Sequence, residues 1–263
     1  MKDEVVLITG GGRGFGEAIA RRFASEGAAV AVLSRNRAQL DEVVAKIEAE
    51  GGRAFAVIAD VTAPAEVDRA VGEVEAALGP ITVFINNAGV PGPFGPLWEV
   101  DVEEWWRAQQ VHIRAPMLFL HRILPGMIAR NRGRTVIVSA IASRMVAPYL
   151  NAYCTGKIAQ NRIVAEAAAE LKDTAVKIFA IDPGFVFTAL ANETMTSPAA
   201  QKWLPGMVGR LEQASEKSDD SDLARCAQRC FDLASGRYDA LSGSYTELPD
   251  DLDAMLRDKE QAA

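Results

Sequence analysis

Short apolar runs recur along the chain, and segments with the periodicity of helices separate them. The runs lack the alternation of a half-exposed sheet, which indicates parallel strands buried on both faces. Strands are predicted at residues 4–9, 28–33, 53–59, 81–85, 134–139, 175–181 and 241–246. Helices are predicted at residues 17–25, 37–51, 64–78, 102–130, 152–171 and 222–234.

This alternation, with short connections and no break in composition, predicts one α/β domain over residues 1–263. Its core would be a doubly wound parallel sheet of about seven strands with helices on both faces. Pro116 and Pro125 should bend or divide the helix at residues 102–130. We expect residues 188–218 to form a substrate lid, and the acidic tail at about residues 248–263 to be mobile.

Composition excludes several classes of function. A net charge of -7 argues against nucleic-acid binding through bulk basicity. No apolar run reaches the roughly 18 residues of a membrane-spanning helix, so no membrane partner is expected. Two histidines and three cysteines predict neither a metal site nor a disulfide framework. With no room for a signal peptide before the first strand, we expect a soluble, cytoplasmic protein.

A glycine-rich turn, GGGRGFG at residues 10–16, lies between the first predicted strand and the first helix. Glycines there permit a tight turn and let the backbone approach a pyrophosphate closely. The helix N-terminus then offers N–H groups and a positive dipole to the phosphates. The position of this turn predicts a nucleotide site.

Ligands of doubly wound sheets bind beyond the carboxyl ends of the strands. Those ends fall at residues 10–16, 34–35, 60–61, 87–89, 139–143 and 183–188. Nearly every unusual feature of the sequence lies in this set, so we expect the functional site there.

Tyr153 and Lys157 open the helix predicted at residues 152–171, and their spacing of four places them on one helix face. A lysine ammonium beside a phenol favours the phenolate, so we expect a tyrosine pKa below the free value of about 10. A tyrosine of that kind can exchange a proton with a substrate oxygen near neutral pH.

Together these motifs resemble those of the short-chain dehydrogenase/reductase family over nearly the whole chain. The matching stretches are TGGGRGFG at residues 9–16, Asp60-Val61, NNAG at residues 86–89, YCTGK at residues 153–157 and PGFVFT at residues 183–188. The resemblance implies a Rossmann-type fold, a nicotinamide cofactor, a small-molecule substrate and a homo-oligomer, either a tetramer or a dimer.

The resemblance also implies roles for individual residues. Lys157 would bind the nicotinamide ribose and tune Tyr153, the general acid and base. The other implied cofactor contacts are Gly10, Gly14, Phe15 and Gly16 at the pyrophosphate, Asp60 and Val61 at the adenine, Asn87, Ala88 and Gly89 at the ribose, and Pro183, Gly184, Val186 and Thr188 at the carboxamide end.

The choice of cofactor follows from charge. An NAD site commonly offers a carboxylate to the adenosine ribose after the second strand. Here Ser34 and Arg35 follow that strand, with no acid. Arg35 and Arg13 could both reach a 2′-phosphate, for which the planar guanidinium is suited. We therefore expect NADP(H) in preference to NAD(H).

Two positions depart from the family pattern. The family serine thirteen residues before the tyrosine, which bonds the substrate oxygen, is Ala140 here. Ser139 should point to the other face of its strand, whereas Ser143 could swing in from the loop. The family asparagine that supports a proton relay is His112. This histidine could relay protons itself or merely pack against the helix of Tyr153.

Removing one oxyanion-type donor costs about 10²–10³ in rate, so three functions remain open. The chain is an NADP(H)-dependent oxidoreductase that interconverts a carbonyl and an alcohol, which we favour. Otherwise it catalyses a non-redox cyclisation, elimination or isomerisation, or it binds the cofactor without turnover.

Large apolar residues accumulate in the predicted loops around the site. They indicate either an apolar or aromatic substrate under a lid or a contact between subunits, for which the alanine-rich helix at residues 152–171 is also suited. The residues are Phe94, Leu97, Trp98, Phe185, Phe187, Trp203 and Met207.

Overall fold

Seven strands form one parallel sheet in the structure, a computed structural model that describes residues 1–217 and 221–261. They are β1 Val5–Thr9, β2 Ala29–Ser34, β3 Arg53–Ile58, β4 Val83–Asn86, β5 Gly133–Val138, β6 Val176–Ile181 and β7 Tyr245–Thr246. Their spatial order is β3-β2-β1-β4-β5-β6-β7, and all neighbours are parallel. The predicted doubly wound sheet is confirmed, and its winding reverses between β1 and β4.

Helices connect the strands across both faces of the sheet. They are α1 Gly14–Ser25, α2 Arg37–Ala49, α3 Pro64–Leu78, α4 Val102–Gln109, α5 Ala115–Ala129, α6 Asn151–Glu170, α7 Ala189–Thr196, α8 Pro198–Trp203, α9 Pro205–Lys217, α10 Ser221–Ala234 and α11 Leu252–Gln261.

Each central strand buries side chains on both faces. In β1, Val6 and Ile8 pack in the cluster that contains α1 and α10. Val5 and Leu7 point the other way, into the cluster that contains α3 and α5. Because successive side chains alternate between two buried faces, the strand sequence is a continuous apolar run.

The helix predicted at residues 102–130 is divided next to Pro116 but not at Pro125. A π turn, Gln110–Arg114, separates α4 from α5. Pro116 is the second residue of α5, directly after the π turn, and it lacks the N–H that would continue the helical hydrogen bonds there. The helix α5 continues through Pro125, so this proline does not divide it.

The region predicted as a lid, residues 188–218, consists of α7, α8 and α9 up to residue 217, and residue 218 lies outside the described residues. Ser197 caps α8 by accepting a hydrogen bond from the Ala200 N–H. Pro198 and Pro205 are the first residues of α8 and α9, positions that suit proline.

The C-terminal segment differs from the expectation of a mobile acidic tail. Residues 252–261 form α11, and Leu248 and Leu252 are buried. Met255 and Leu256 pack against the cluster around α1 and α10. The apolar stripe of this segment, rather than its net charge, decides that it docks. Residues 262 and 263 lie outside the described residues.

Candidate active site

A cavity of about 1870 Å³ opens at the carboxyl ends of the strands. It exceeds the volume of an ordinary small-ligand pocket and has room for a dinucleotide beside a substrate. The predicted cofactor residues line it, apart from Gly16, which packs behind Gly10. Tyr153 and Lys157 line the same cavity, whereas His112 and Ser143 do not.

The glycine turn has the backbone that close approach to a ligand requires. Gly10 and Gly14 have φ values of 65° and 56°, a region that favours glycine. A Cβ at Gly16 would collide with the Gly10 carbonyl oxygen. The first turn of α1 has no side-chain cap from Arg13, so its N–H groups are free for an anion. These features fit a cofactor pyrophosphate.

Thr9 and Asn87 join the ends of β1 and β4 beside this turn. The Thr9 hydroxyl accepts the N–H groups of Asn87 at 3.0 Å and Ala88 at 3.1 Å. The Asn87 amide donates to the carbonyl oxygens of Thr9 and Gly10, both at 3.1 Å. The asparagine therefore holds the walls of the cavity together.

The end of β2 forms the cavity wall where a 2′-phosphate is expected. Ser34 and Arg35 line this wall, and Arg13 lines it from the glycine turn. The Ser34 hydroxyl accepts a hydrogen bond from the Asn36 N–H at 3.2 Å. Arg13 pairs with Glu193 of α7 at 3.2 Å, and both side chains are about half exposed. No acid is present among residues 34–39.

Asp60 and Val61 lie at the end of β3, and both line the cavity. The Asp60 carboxylate accepts the backbone and hydroxyl hydrogens of Thr62, at 2.8 and 2.7 Å. Pro183, Gly184, Val186 and Thr188 line the opposite side, after β6. Gly184 has a φ of 85°, and a Cβ there would collide with the Asp222 carboxylate.

Tyr153 and Lys157 lie together on α6, with the lysine Nζ 5.5 Å from the centroid of the tyrosine ring. The lysine is 4% exposed, and its ammonium donates to the Val138 carbonyl oxygen at 2.8 Å. Burial lowers the pKa of Lys157 to about 7, although the Asp182 carboxylate acts in the opposite direction.

The lowered tyrosine pKa expected from the sequence is not found. Burial, followed by the Asp182 carboxylate, raises the pKa of Tyr153 above its usual value. Removal of the phenol from water disfavours its charged form, and the negative charge of Asp182 opposes a phenolate further. Asp182 was missed by sequence reasoning, although it directly precedes the proline and glycine of a motif stretch.

His112 is fully buried in the π turn, and its ring meets that of Tyr153 edge-on at 5.4 Å. Its Nε2 lies 2.8 Å from the Val90 carbonyl oxygen, so this nitrogen carries the hydrogen. Burial and the Lys157 cation lower the pKa of His112 to about 3. A proton relay would require a pKa nearer neutrality, so the structure favours the packing interpretation of this histidine.

Ala140 places a methyl group on the cavity wall where the family has a hydroxyl. The Ser139 hydroxyl donates instead to the Lys157 carbonyl oxygen at 3.2 Å. The Ser143 hydroxyl accepts from the Asn161 amide at 2.7 Å, away from the cavity. Neither serine substitutes for the lost hydroxyl in this structure.

The large apolar residues divide into two groups. Phe185, Trp203 and Met207 line the cavity. Phe94 is buried against Leu204 and Met207, and neither it nor Phe187 lines the cavity. Leu97 and Trp98 are 69% and 83% exposed and do not line the cavity either. The cavity wall therefore contains three of the seven large apolar residues that the sequence indicated.

Two further findings concern the described residues. No cluster of three or more histidine, cysteine, aspartate or glutamate side chains that could hold a metal occurs in residues 1–217 and 221–261. Within the same part of the chain, no helix is both long and apolar enough to cross a membrane.

Comparison with known proteins identifies the class of this site. Residues 4–199 match the family described as short chain dehydrogenase. A short chain dehydrogenase of Pseudocercospora fijiensis (strain CIRAD86) is 32% identical over 265 residues, which cover 99% of this chain and 85% of that protein. The chain belongs to the short-chain dehydrogenase/reductase family.

Solved structures agree with this assignment. A metagenomic short-chain oxidoreductase in complex with NADP is 34% identical, with a TM-score of 0.68 and coverage of 71% of this chain and 84% of that chain. NAD+-bound xylitol dehydrogenase, at 24% identity, has the same fold, with a TM-score of 0.82 over 94% of this chain and 97% of that chain. The family is one of nicotinamide-dependent dehydrogenases and reductases, and the expected enzyme class is confirmed.

Proposed function

We propose that this enzyme interconverts a carbonyl and an alcohol on a small apolar or aromatic substrate, with NADP(H) as cofactor. One observation carries the proposal: Tyr153 and Lys157 lie on the wall of the cavity that the glycine turn and Asn87 also form. A phenol and an ammonium beside a dinucleotide cradle are the groups that proton exchange at a substrate oxygen requires.

In this mechanism the nicotinamide cofactor supplies or accepts the hydride. Tyr153 donates its hydroxyl proton to the carbonyl oxygen during reduction and accepts it back during oxidation. The raised pKa of Tyr153 keeps its hydroxyl protonated in the cofactor-free protein, which makes the phenol a weak acid and leaves almost no phenolate to act as a base. Oxidation therefore depends on positive charge near the phenol, which Lys157 supplies only while protonated.

The preference for NADP(H) rests on the charge of the cavity wall after β2. Arg35 and Arg13 would hold a 2′-phosphate there, and Ser34 would add a hydroxyl donor. The NADP complex among the similar structures supports this choice. The NAD+ complex makes a direct comparison of the two cofactors necessary.

The first experiment is titration of the purified protein with NADPH and NADH, followed by mixing with a panel of ketones and aldehydes while nicotinamide absorbance is recorded. We expect tighter binding of NADPH and loss of absorbance with apolar or aromatic carbonyls. Equal or tighter binding of NADH would contradict the cofactor assignment. Absence of binding to either cofactor would contradict the function as a whole.

A non-redox reaction on the same fold is the second candidate. It is supported by Ala140 and by the hydrogen bonds that direct Ser139 and Ser143 elsewhere. Tight NADPH binding without oxidation by any carbonyl would favour this candidate, with Tyr153 retained as acid and base. Membership of a family of dehydrogenases and reductases favours the redox reaction.

We also propose that the enzyme is a cytoplasmic homo-oligomer. All three cysteines are free, as a reducing compartment favours. Val102 and Trp106 on α4 and Ile158 on α6 are 63%, 55% and 57% exposed. A second copy covering these adjacent helices would bury them. Light scattering on the eluted protein tests this, and a monomer at micromolar concentration would contradict it.

A further inference from the structure

The buried ammonium of Lys157 has a second protein partner besides the Val138 carbonyl oxygen. Its Nζ donates to the Oε1 atom of Gln160, one helical turn further along α6, at 3.2 Å. Gln160 is 1% exposed and does not line the cavity. It therefore touches the lysine from behind, on the side away from any ligand.

The other end of the Gln160 amide contacts the π turn. Its Nε2 donates to the His112 carbonyl oxygen at 2.9 Å. The two contacts fix the orientation of the Gln160 amide. Its NH₂ group must face the His112 carbonyl oxygen, which can only accept, and its oxygen must face the Lys157 ammonium, which can only donate. One side chain thus spans the gap between the π turn and Lys157.

Gly156 explains how the two helical segments approach closely enough for this bridge. A Cβ at residue 156 would collide with the side chain of His112. Because glycine lacks that atom, α6 packs directly on the π turn and brings Gln160 within hydrogen-bond distance of its backbone.

We propose that Gln160 is a positioning residue, which fixes the Lys157 ammonium in the active site by bridging it to the His112 carbonyl oxygen. This inference rests on the proposed function, since it assigns a role in the same site. Two lysine N–H groups are then held by Val138 and Gln160, and the third remains for a ligand in the cavity. The family departure at residue 112 is tolerated because the bridge uses its backbone rather than its side chain.

The bridge also has an electrostatic consequence. The titratable groups that face Lys157 are Tyr153 on the same helix, His112 from the π turn and Asp182 after β6. Tyr153 and His112 are neutral at pH 7. Gln160 therefore supplies an uncharged acceptor to an ammonium whose charge burial disfavours.

Two substitutions separate this role from a purely structural one. Gln160→Met keeps the length of the side chain but removes the acceptor, so the pKa of Lys157 should fall by about one unit. Gln160→Glu places a carboxylate beside the ammonium, so the pKa should rise by about one unit or more. Structural damage alone would not move the two variants in opposite directions.

Gln109 provides a matched control. It is equally buried, and its amide donates to the Ala152 carbonyl oxygen at 2.9 Å, which joins α4 to α6 next to the π turn. Gln109→Met removes a comparable buried hydrogen bond but no contact with Lys157. We expect it to lower the melting temperature as Gln160→Met does and to leave the pKa of Lys157 unchanged.

The pKa is measured on the cofactor-free protein by NMR of carbon-labelled lysine side chains, with Lys157→Met to assign the signal. In the same variants, the pH at which kcat falls on the alkaline side should shift in the same direction as the pKa. Unchanged lysine pKa values, or shifts of the same sign in both Gln160 variants, would overturn the inference. If Gln160→Met does not fold, Gln160→Asn replaces it. Asparagine is too short to span both partners, so the same fall in the pKa of Lys157 is expected.

The two proposals fail separately. If the lysine pKa shifts in opposite directions in the two Gln160 variants, but no carbonyl compound causes the enzyme to oxidise NADPH, the bridge is retained and the redox function is contradicted. If the enzyme reduces a carbonyl but the lysine pKa is the same in all variants, the redox function is retained and the bridge is contradicted.

Discussion

At the carboxyl ends of β1 and β4, four hydrogen bonds join Thr9 and Asn87 to the neighbouring backbone. At the end of β5, by contrast, the cavity wall presents the methyl group of Ala140, and the nearby Ser139 and Ser143 bond elsewhere. The proposed cofactor side combines the backbone conformation of the glycine turn with several mutually supporting hydrogen bonds, whereas the proposed substrate side depends on single side chains. A single substitution can therefore change the chemistry without disturbing cofactor binding.

The largest effect that tests this contrast is expected for Tyr153→Phe. Removal of the phenol hydroxyl should lower turnover by about 10³-fold or more, since it takes away the proposed proton donor to the substrate oxygen. Cofactor affinity should change less than about twofold. Steady-state rates and NADPH titration check both parts, and a variant with normal turnover would contradict the role of Tyr153.

Ala140→Ser should produce the next largest change. A hydroxyl restored at this position should raise kcat with simple ketones by up to about 10²-fold, as an added donor to the developing oxyanion. Ala142→Ser is the matched control, because Ala142 is buried and lines the same wall two residues further on. Gains of equal size in both variants would show that the position of the hydroxyl is unimportant.

Arg35→Ala should weaken NADPH binding by about tenfold, because a charge-assisted contact to phosphate is lost. Binding of NADH should be nearly unchanged. Arg37→Ala is the control, since Arg37 also lines the cavity but pairs with Asp41 at 2.8 Å. If Arg35→Ala loses affinity for NADPH and NADH equally, Arg35 does not contact the 2′-phosphate.

The smallest effect is expected for Glu193→Gln. This change releases Arg13 from its half-exposed partner in α7, so NADPH should bind about two- to threefold more tightly. The gain should disappear at high salt, because the competing ion pair is solvent-exposed. Glu212→Gln, on the exposed face of α9, should have no effect, and weaker NADPH binding in Glu193→Gln would show that the pair supports the site.

Much of the fold could be predicted because its determinants are local. Apolar runs mark the strands, and the glycine turn marks the first strand–helix junction. Strand alternation predicts that Ser139 points away from the side of Ala140; in the structure Ser139 lines the cavity, and its hydroxyl donates to the Lys157 carbonyl oxygen of α6. The starts of α8 and α9 are also indicated by Pro198 and Pro205, two helix-starting positions that the sequence prediction did not use.

The remaining features depend on contacts between distant residues. The bond from Gln160 to His112 joins positions 48 residues apart, and no spacing rule indicates it. The raised pKa of Tyr153 depends on burial and on Asp182, which lies on another strand end. The motifs named residues that line the cavity, whereas the orientation of the side chains around Tyr153 could not be predicted, because tertiary packing determines it.

The π turn at Gln110–Arg114 has a consequence for insertions and deletions in this chain. A π turn accommodates one residue more than an α-helical turn, and each residue in an α-helix advances the chain by about 100°. Deleting one residue here would allow α4 and α5 to merge into one regular helix. Because the wider turn takes up most of the rotation that an added residue brings, α4 and α5 would keep nearly the same facing, and the bond from the Trp105 indole to Asn151 would persist. The cost of such a deletion would fall instead on the turn itself, where the His112 ring bonds to the Val90 carbonyl oxygen and the His112 carbonyl oxygen accepts from Gln160. The extra residue thus matters for these local contacts rather than for the direction of the two helices.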